Sequence, residues 1–142
     1  MKTSEQACAR PNTLLIVDDQ PIYREGLQEL IAHWDDFQVC GVAANGLEAL
    51  QMYREQQPDI VLMDVSMPTL NGAEATRLIL EGYPSARIVM LAISTHDPGL
   101  LRAIEFGACG YTLKDVSAGQ LHHLLRGWAA GENRHTNEGH AG

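Results

Sequence analysis

Short apolar runs recur along the chain, and each is followed by a stretch with helical periodicity. Leu14-Leu15-Ile16-Val17 is unbroken and stops at Asp18-Asp19. A run of that length, bounded by charge, fits a strand buried on both faces, as in parallel sheets. Tyr23, Leu27, Leu30, Ile31 and Trp34 are then spaced as one face of a helix. Pro21 suits its first turn. Phe37 to Ala43 reads as a second strand, Asn45-Gly46 as a turn, and Ala49, Leu50 and Tyr53 as a second helical face. Ile60-Val61-Leu62-Met63 is a third strand ending at Asp64, with Pro68 and Asn71-Gly72 in the loop after it. Ala75, Leu78 and Ile79 mark a third helix. Ile88-Val89-Met90-Leu91 reads as a fourth strand, and Leu100, Leu101 and Ile104 as a fourth helix. Gly110 to Leu113 is a weaker fifth strand, followed by a helix carrying Leu121, Leu124, Leu125 and Trp128.

Strands alternating with helices predict right-handed crossovers and a parallel sheet covered on both faces. The expected class is α/β, a doubly wound (βα)5 unit with a five-stranded parallel sheet in the flavodoxin-like order 2-1-3-4-5. The alternation occupies 13–131 as one domain. Residues 1–12 read as a polar, flexible arm, and the Gly-rich 132–142 as a flexible tail or the start of a linker.

Composition narrows the function classes. At 142 residues and 45% hydrophobic content, the chain can bury a full core. A net charge of -8 and the absence of basic runs argue against a nucleic-acid-binding surface. Cys8, Cys40 and Cys109 match no zinc spacing and read as free thiols. No apolar run is long enough to span a bilayer, and the N-terminus lacks the apolar core of a signal peptide. The expected location is the cytoplasm, with no membrane partner.

The acidic excess has a focus. In a doubly wound sheet, ligands bind at the carboxyl ends of the strands, where strand order reverses. Asp18 and Asp19 follow the first strand and Asp64 ends the third, and these strands are neighbours in the expected order. Three convergent carboxylates repel unless a cation or proton intervenes. Mg²⁺ suits them, because it takes one or two carboxylates and keeps several waters. Asp64 could then act as a nucleophile and form an acyl phosphate, with catalysis by positioning and charge neutralisation. Lys114 closes the fifth strand at the same edge, where its ammonium could pair with Asp64 or a phosphoryl oxygen. An acidic residue after a strand can also simply cap the next helix. Asp18 alone admits that reading, whereas the set Asp18, Asp19, Asp64 and Lys114 does not reduce to it.

These residues resemble the receiver domain of bacterial response regulators. The segments LLIVDDQPIYREGL, IVLMDVSMPTLNGAEATR and GACGYTLKD carry the resemblance, which runs from about Leu14 to Glu132. VDDQP, MDxxMPxxNG and GYxLKD are similar to the NarL/LuxR-type subgroup, and the acidic Asp115 after Lys114 agrees with it. The resemblance implies that Asp64 is the phosphoacceptor and that Asp18 and Asp19 are the acidic pair holding Mg²⁺. It implies that Ser66 lends a backbone carbonyl to the metal and that Lys114 contacts the phosphate. Tyr111 corresponds to the switch aromatic, which rotates inward on activation. The implied partner is a sensor histidine kinase, with homodimerisation left open. DNA would be reached only through an output domain that this chain does not contain.

One departure stands out. The family places Thr or Ser at the end of the fourth strand, where a hydroxyl binds the phosphoryl group. Here that position is Ala92, with Ser94 and Thr95 just beyond. Two functions follow. One is a signalling phosphoacceptor that assists its own phosphotransfer and dephosphorylation without being a turnover enzyme, serving transcriptional regulation. The other is a receiver-like interaction module that works independently of phosphorylation, which Ala92 favours and the intact acidic set disfavours. A metal-dependent phosphatase on the same fold would need a further acid–base group, and none is placed for it.

Overall fold

The computed structural model describes residues 10–131. The elements alternate as expected: β1 (Asn12–Val17), α1 (Pro21–Ile31), β2 (Phe37–Ala43), α2 (Gly46–Gln56), β3 (Ile60–Asp64), α3 (Gly72–Gly82), β4 (Ile88–Ala92), α4 (Pro98–Phe106), β5 (Gly110–Leu113) and α5 (Ala118–Ala129). All strand pairs are parallel, and the sheet order is β2-β1-β3-β4-β5. The order reverses between β1 and β3, so the carboxyl ends of these two strands flank the switch point.

The unbroken apolar runs lie where they must. Every residue of β3 and β4 is buried, because helices cover both faces. Alternate side chains divide the interior into two layers. Leu15, Val17, Val61, Met63 and Met90 pack on one face of the sheet. Leu14, Ile16, Leu62, Leu91 and Trp128 pack on the other. Helix starts are fixed by side chains that accept from orphan N–H groups: Asn45 from Glu48, Asn71 from Glu74, Asp97 from Gly99 and Ser117 from Gln120.

Two details of the helix reading change. Trp34 is not on the α1 face, because α1 ends at Ile31 and the chain turns. The indole instead stacks on His122 of α5, with ring centroids 4.0 Å apart. His122 and Arg126 also bind the Asp36 carboxylate, at 2.8 and 2.9 Å. Leu101 is on α4 as expected, but it faces solvent.

Residues 10–12 of the predicted arm are placed. Arg10 pairs with Asp59 at 3.3 Å, and Asn12 opens β1. The rest of the arm, the tail and Cys8 lie outside the described residues. Among the described residues, no helix is long and apolar enough to cross a membrane.

Candidate functional site

β1 and β3 run side by side, with Val17 beside Met63, so both strands deliver acidic residues to one edge. Each of Asp18, Asp19 and Asp64 offers a carboxylate oxygen, and these atoms lie within 4.8 Å of one another. Asp18 is fully buried, Asp64 is 5% exposed, and Asp19 faces solvent. β5 brings Lys114 to the same edge through a bond from its backbone N–H to the Ala92 carbonyl, 2.8 Å long. The Lys114 ammonium stands 2.8 Å from Asp18 Oδ2 and 3.4 Å from Asp64 Oδ2.

The loop after β3 is folded tightly onto Asp64. The Gly72 N–H donates to the Val65 carbonyl at 3.0 Å, and a Cβ at Gly72 would overlap the carbonyl oxygen of Asp64. Glycine is therefore required where α3 starts. The same loop holds Thr69 at φ 70, a left-handed conformation that a β-branched residue rarely adopts. Ser66 lies in this loop, and its N–H donates to Asp64 Oδ1 at 3.3 Å.

The electrostatics are unbalanced. Burial pushes the Asp64 carboxyl up to about 7, and the neighbouring Asp18 carboxylate adds to the shift. Lys114 and the Ser66 N–H pull the other way without cancelling it. Asp18 Oδ1 accepts from the Gln20 N–H at 2.8 Å. Asp18 Oδ2 is buried and accepts no hydrogen bond of good geometry, although the Lys114 ammonium is beside it as an ion pair. A buried carboxylate oxygen with spare capacity, next to two more carboxylates, is the donor set of a hard cation. The residues present fit Mg²⁺.

The positions predicted for the switch are less closely joined to this cluster. Ala92 ends β4 and is buried in the core layer, and Tyr111 packs half-buried against that layer. The Ser94 hydroxyl accepts from the His96 N–H at 3.0 Å and lies 3.4 Å from His96 Nδ1. It is engaged in its own turn. Thr95 is exposed.

Three contacts at the site are not evident from sequence patterns. Arg24 donates to the Asp18 carbonyl at 2.7 Å, tying α1 to the end of β1. Gln20, at the N-cap of α1, makes no side-chain cap bond, and its Oε1 accepts from Lys114 at 3.2 Å. Tyr23 has the Lys114 ammonium 4.7 Å from its ring centroid. Burial and the field of Asp18, Asp64 and Asp115 push the Tyr23 hydroxyl up to about 12. Periodicity assigns Tyr23 to the core face. The available signal was its place one helical turn after Asp19.

Comparison with known proteins agrees with this geometry. A family model described as the response regulator receiver domain matches residues 14–126. The transcriptional regulatory protein LnrK of Bacillus subtilis is 45% identical over 105 residues, covering 74% of this chain and 48% of the relative. The nitrate/nitrite response regulator protein NarL of Escherichia coli is 38% identical over 122 residues, covering 86% and 56%. The chain thus spans about half the length of these relatives. Among solved structures, a two-component response regulator of the LuxR family from Aurantimonas superposes with a TM-score of 0.81 at 36% identity, covering 87% of this chain and 89% of that one.

Proposed function

This chain belongs to the response regulator receiver domain family, and from that premise we propose that it is a phosphorylatable switch that takes a phosphoryl group on Asp64 from a sensor histidine kinase. The observation that carries the reading is the under-satisfied acidic cluster. Asp64 ends a buried strand, with Asp18 and Asp19 beside it and Lys114 the one described ammonium paired to the pocket. Asp18, Asp19, Asp64 and the Ser66 backbone carbonyl are the groups that would hold Mg²⁺. The ion would neutralise charge on the carboxylates and on the incoming phosphoryl oxygens.

The roles of the chain's own residues follow. An Asp64 carboxylate oxygen attacks phosphorus in line as the bond from phosphorus to the donor histidine nitrogen breaks. Burial keeps competing water from much of the carboxylate, and the fixed β3 backbone aims it. Lys114, already 3.4 Å from Asp64 Oδ2, meets the extra negative charge. The outcome is a change in partner contacts, and the names of the relatives support a role in transcriptional regulation. The test is incubation with acetyl phosphate, with and without Mg²⁺, followed by intact mass. One phosphoryl mass should appear only with Mg²⁺, and Asp64→Asn should remain unlabelled. Equal labelling of Asp64→Asn would refute the assignment.

Ala92 favours a second reading, in which the domain binds its partners without using phosphorylation. The missing hydroxyl removes a donor to the phosphoryl group, and Ser94 is already committed to His96. A hydrogen bond to a charged group contributes roughly 1.5–3 kcal/mol, so its loss lowers the active-to-inactive ratio by about tenfold or more. Beryllofluoride should therefore shift Tyr111 and the loop after β4 further in Ala92→Thr than in the parent, as followed by NMR. Equal, full-sized shifts in both proteins would show that the switch does not need this hydroxyl.

A further inference from the structure

Among the described residues the Lys114 ammonium meets four partners, and three of them belong to one side of the pocket. Asp18 Oδ2 is at 2.8 Å, Gln20 Oε1 at 3.2 Å and the Tyr23 ring centroid at 4.7 Å. All three come from the end of β1 and the start of α1. Asp64 Oδ2, the fourth neighbour, is farther than Asp18, at 3.4 Å. The lysine side chain is 11% exposed, so little water competes for the ammonium. A cation against an aromatic face is attracted by the ring quadrupole, more strongly when desolvated.

This arrangement conflicts with a dication in the same pocket. Asp18 Oδ2 is a buried carboxylate oxygen with no hydrogen bond among the described residues, and the ammonium is on it. A divalent cation using that oxygen would stand within a few ångströms of Nζ, where like charges repel. Lys114 must then draw back from Asp18 Oδ2, and with it from the Tyr23 ring. The ring of Tyr23 attracts the ammonium where it is and so opposes the exchange.

We propose that Tyr23 is a positioning residue that parks the Lys114 ammonium on Asp18, so that metal binding and displacement of Lys114 from Asp18 and the ring are one coupled exchange. The inference rests on the phosphoacceptor reading above, because it uses the same metal pocket. It assigns no chemistry to the tyrosine hydroxyl; the ring face does the holding. Its direction is unusual for a substitution beside a metal site. Removing the ring tightens Mg²⁺ binding, whereas damage to the pocket would weaken it.

The experiment is an NMR titration of the full chain with MgCl2, comparing the parent with Tyr23→Phe and Tyr23→Leu. Leucine keeps apolar bulk in the groove that Tyr23 lines with Leu27 and Leu30. In the metal-free parent, the ε-methylene protons of Lys114 should be shifted upfield by the ring and should move back as Mg²⁺ saturates. Tyr23→Phe should behave like the parent. Tyr23→Leu should lose the upfield shift and bind Mg²⁺ about two- to fivefold more tightly. Unchanged or weaker binding in Tyr23→Leu would overturn the proposal, as would loss of the effect in Tyr23→Phe. If Tyr23→Leu fails to fold, the parent decides alone: ε-methylene protons unmoved by saturating Mg²⁺ contradict the exchange. A parent that shows no saturable Mg²⁺ response sinks the metal reading and the proposal together. A parent that saturates, with Tyr23→Leu unchanged, sinks the proposal alone.

Discussion

Strand β3 carries an aspartate at each end, Asp59 just before it and Asp64 as its last residue, and the two are held in opposite ways. Asp59 Oδ2 accepts from the Thr13 N–H at 2.7 Å, the Thr13 hydroxyl at 3.1 Å and Arg10 at 3.3 Å. The same hydroxyl accepts in return from the Asp59 N–H at 2.9 Å. Partial burial pushes this carboxyl up, but the Thr13 and Arg10 bonds outweigh it and leave Asp59 below the ordinary value. Asp64 has one long bond from Ser66 and a shared lysine, with Asp18 against it, and is pushed up to about 7. One strand thus separates a carboxylate whose charge is satisfied by the fold from one whose charge the fold leaves for something else. The shortfall in pairing at Asp64, rather than pairing as such, is what supports its proposed role.

The contrast predicts substitutions of opposite sign. Asp59→Ala should have the largest effect, destabilising the protein by about 2–3 kcal/mol, because it removes charged hydrogen bonds and leaves the Thr13 N–H without its acceptor. Urea unfolding at neutral pH measures it, and a change under about 0.5 kcal/mol would mean that Asp59 is an ordinary surface acid.

Asp64→Asn should act the other way in metal-free protein. A folded carboxyl raised above its unfolded value binds more protons than the unfolded chain does between roughly pH 4 and 7. Stability therefore falls as pH rises through that window, and the deficit persists above it. Removing the charge should stabilise the protein at pH 8 by about 1–2 kcal/mol, less than the full shift implies because water at the pocket mouth screens the carboxylate. The gain should vanish near pH 4. For Asp59 the sign reverses: its lowered carboxyl adds stability above the unfolded value, and this is lost only as pH falls below that value. Thermal melts from roughly pH 2 to 8 without metal check both, and a gain from Asp64→Asn that does not depend on pH would break the comparison.

Backbone strain sharpens it further. The loop leaving Asp64 holds the β-branched Thr69 at φ 70, whereas the turn entering β3 places unbranched Gln57 at φ 42 as the cap of α2. Thr69→Gly should stabilise by about 1 kcal/mol, and Gln57→Gly by roughly half as much. Equal gains in denaturant unfolding would show that strain is not concentrated at the Asp64 end.

Much of this was legible in the sequence because its signals are local. Four-residue apolar runs ending in Asp give a buried parallel strand and a carboxylate at its carboxyl end in one stroke. The NG before α3 and Lys114 after β5 place themselves the same way. Long-range pairings were not legible. Thr13 with Asp59, and Asp36 with His122 and Arg126, join residues far apart in sequence. Trp34 sits at a helical spacing and yet lies past the helix, because its partner is a ring on α5. Tyr23 carried a core-face signature because an aromatic beside a buried ammonium and one beside leucines follow the same period. Ala92 was read from its position, and the structure adds that Ser94 is bound within its own turn.

The most direct test of the central claim is to locate the phosphoryl group. Protein treated with acetyl phosphate and Mg²⁺ is reduced with borohydride, which converts an aspartyl phosphate to homoserine, and the peptides are read by mass spectrometry. The account predicts homoserine at Asp64 alone, with Asp18, Asp19 and Asp59 intact. Homoserine at any of those three in place of Asp64, or none at all, would contradict it.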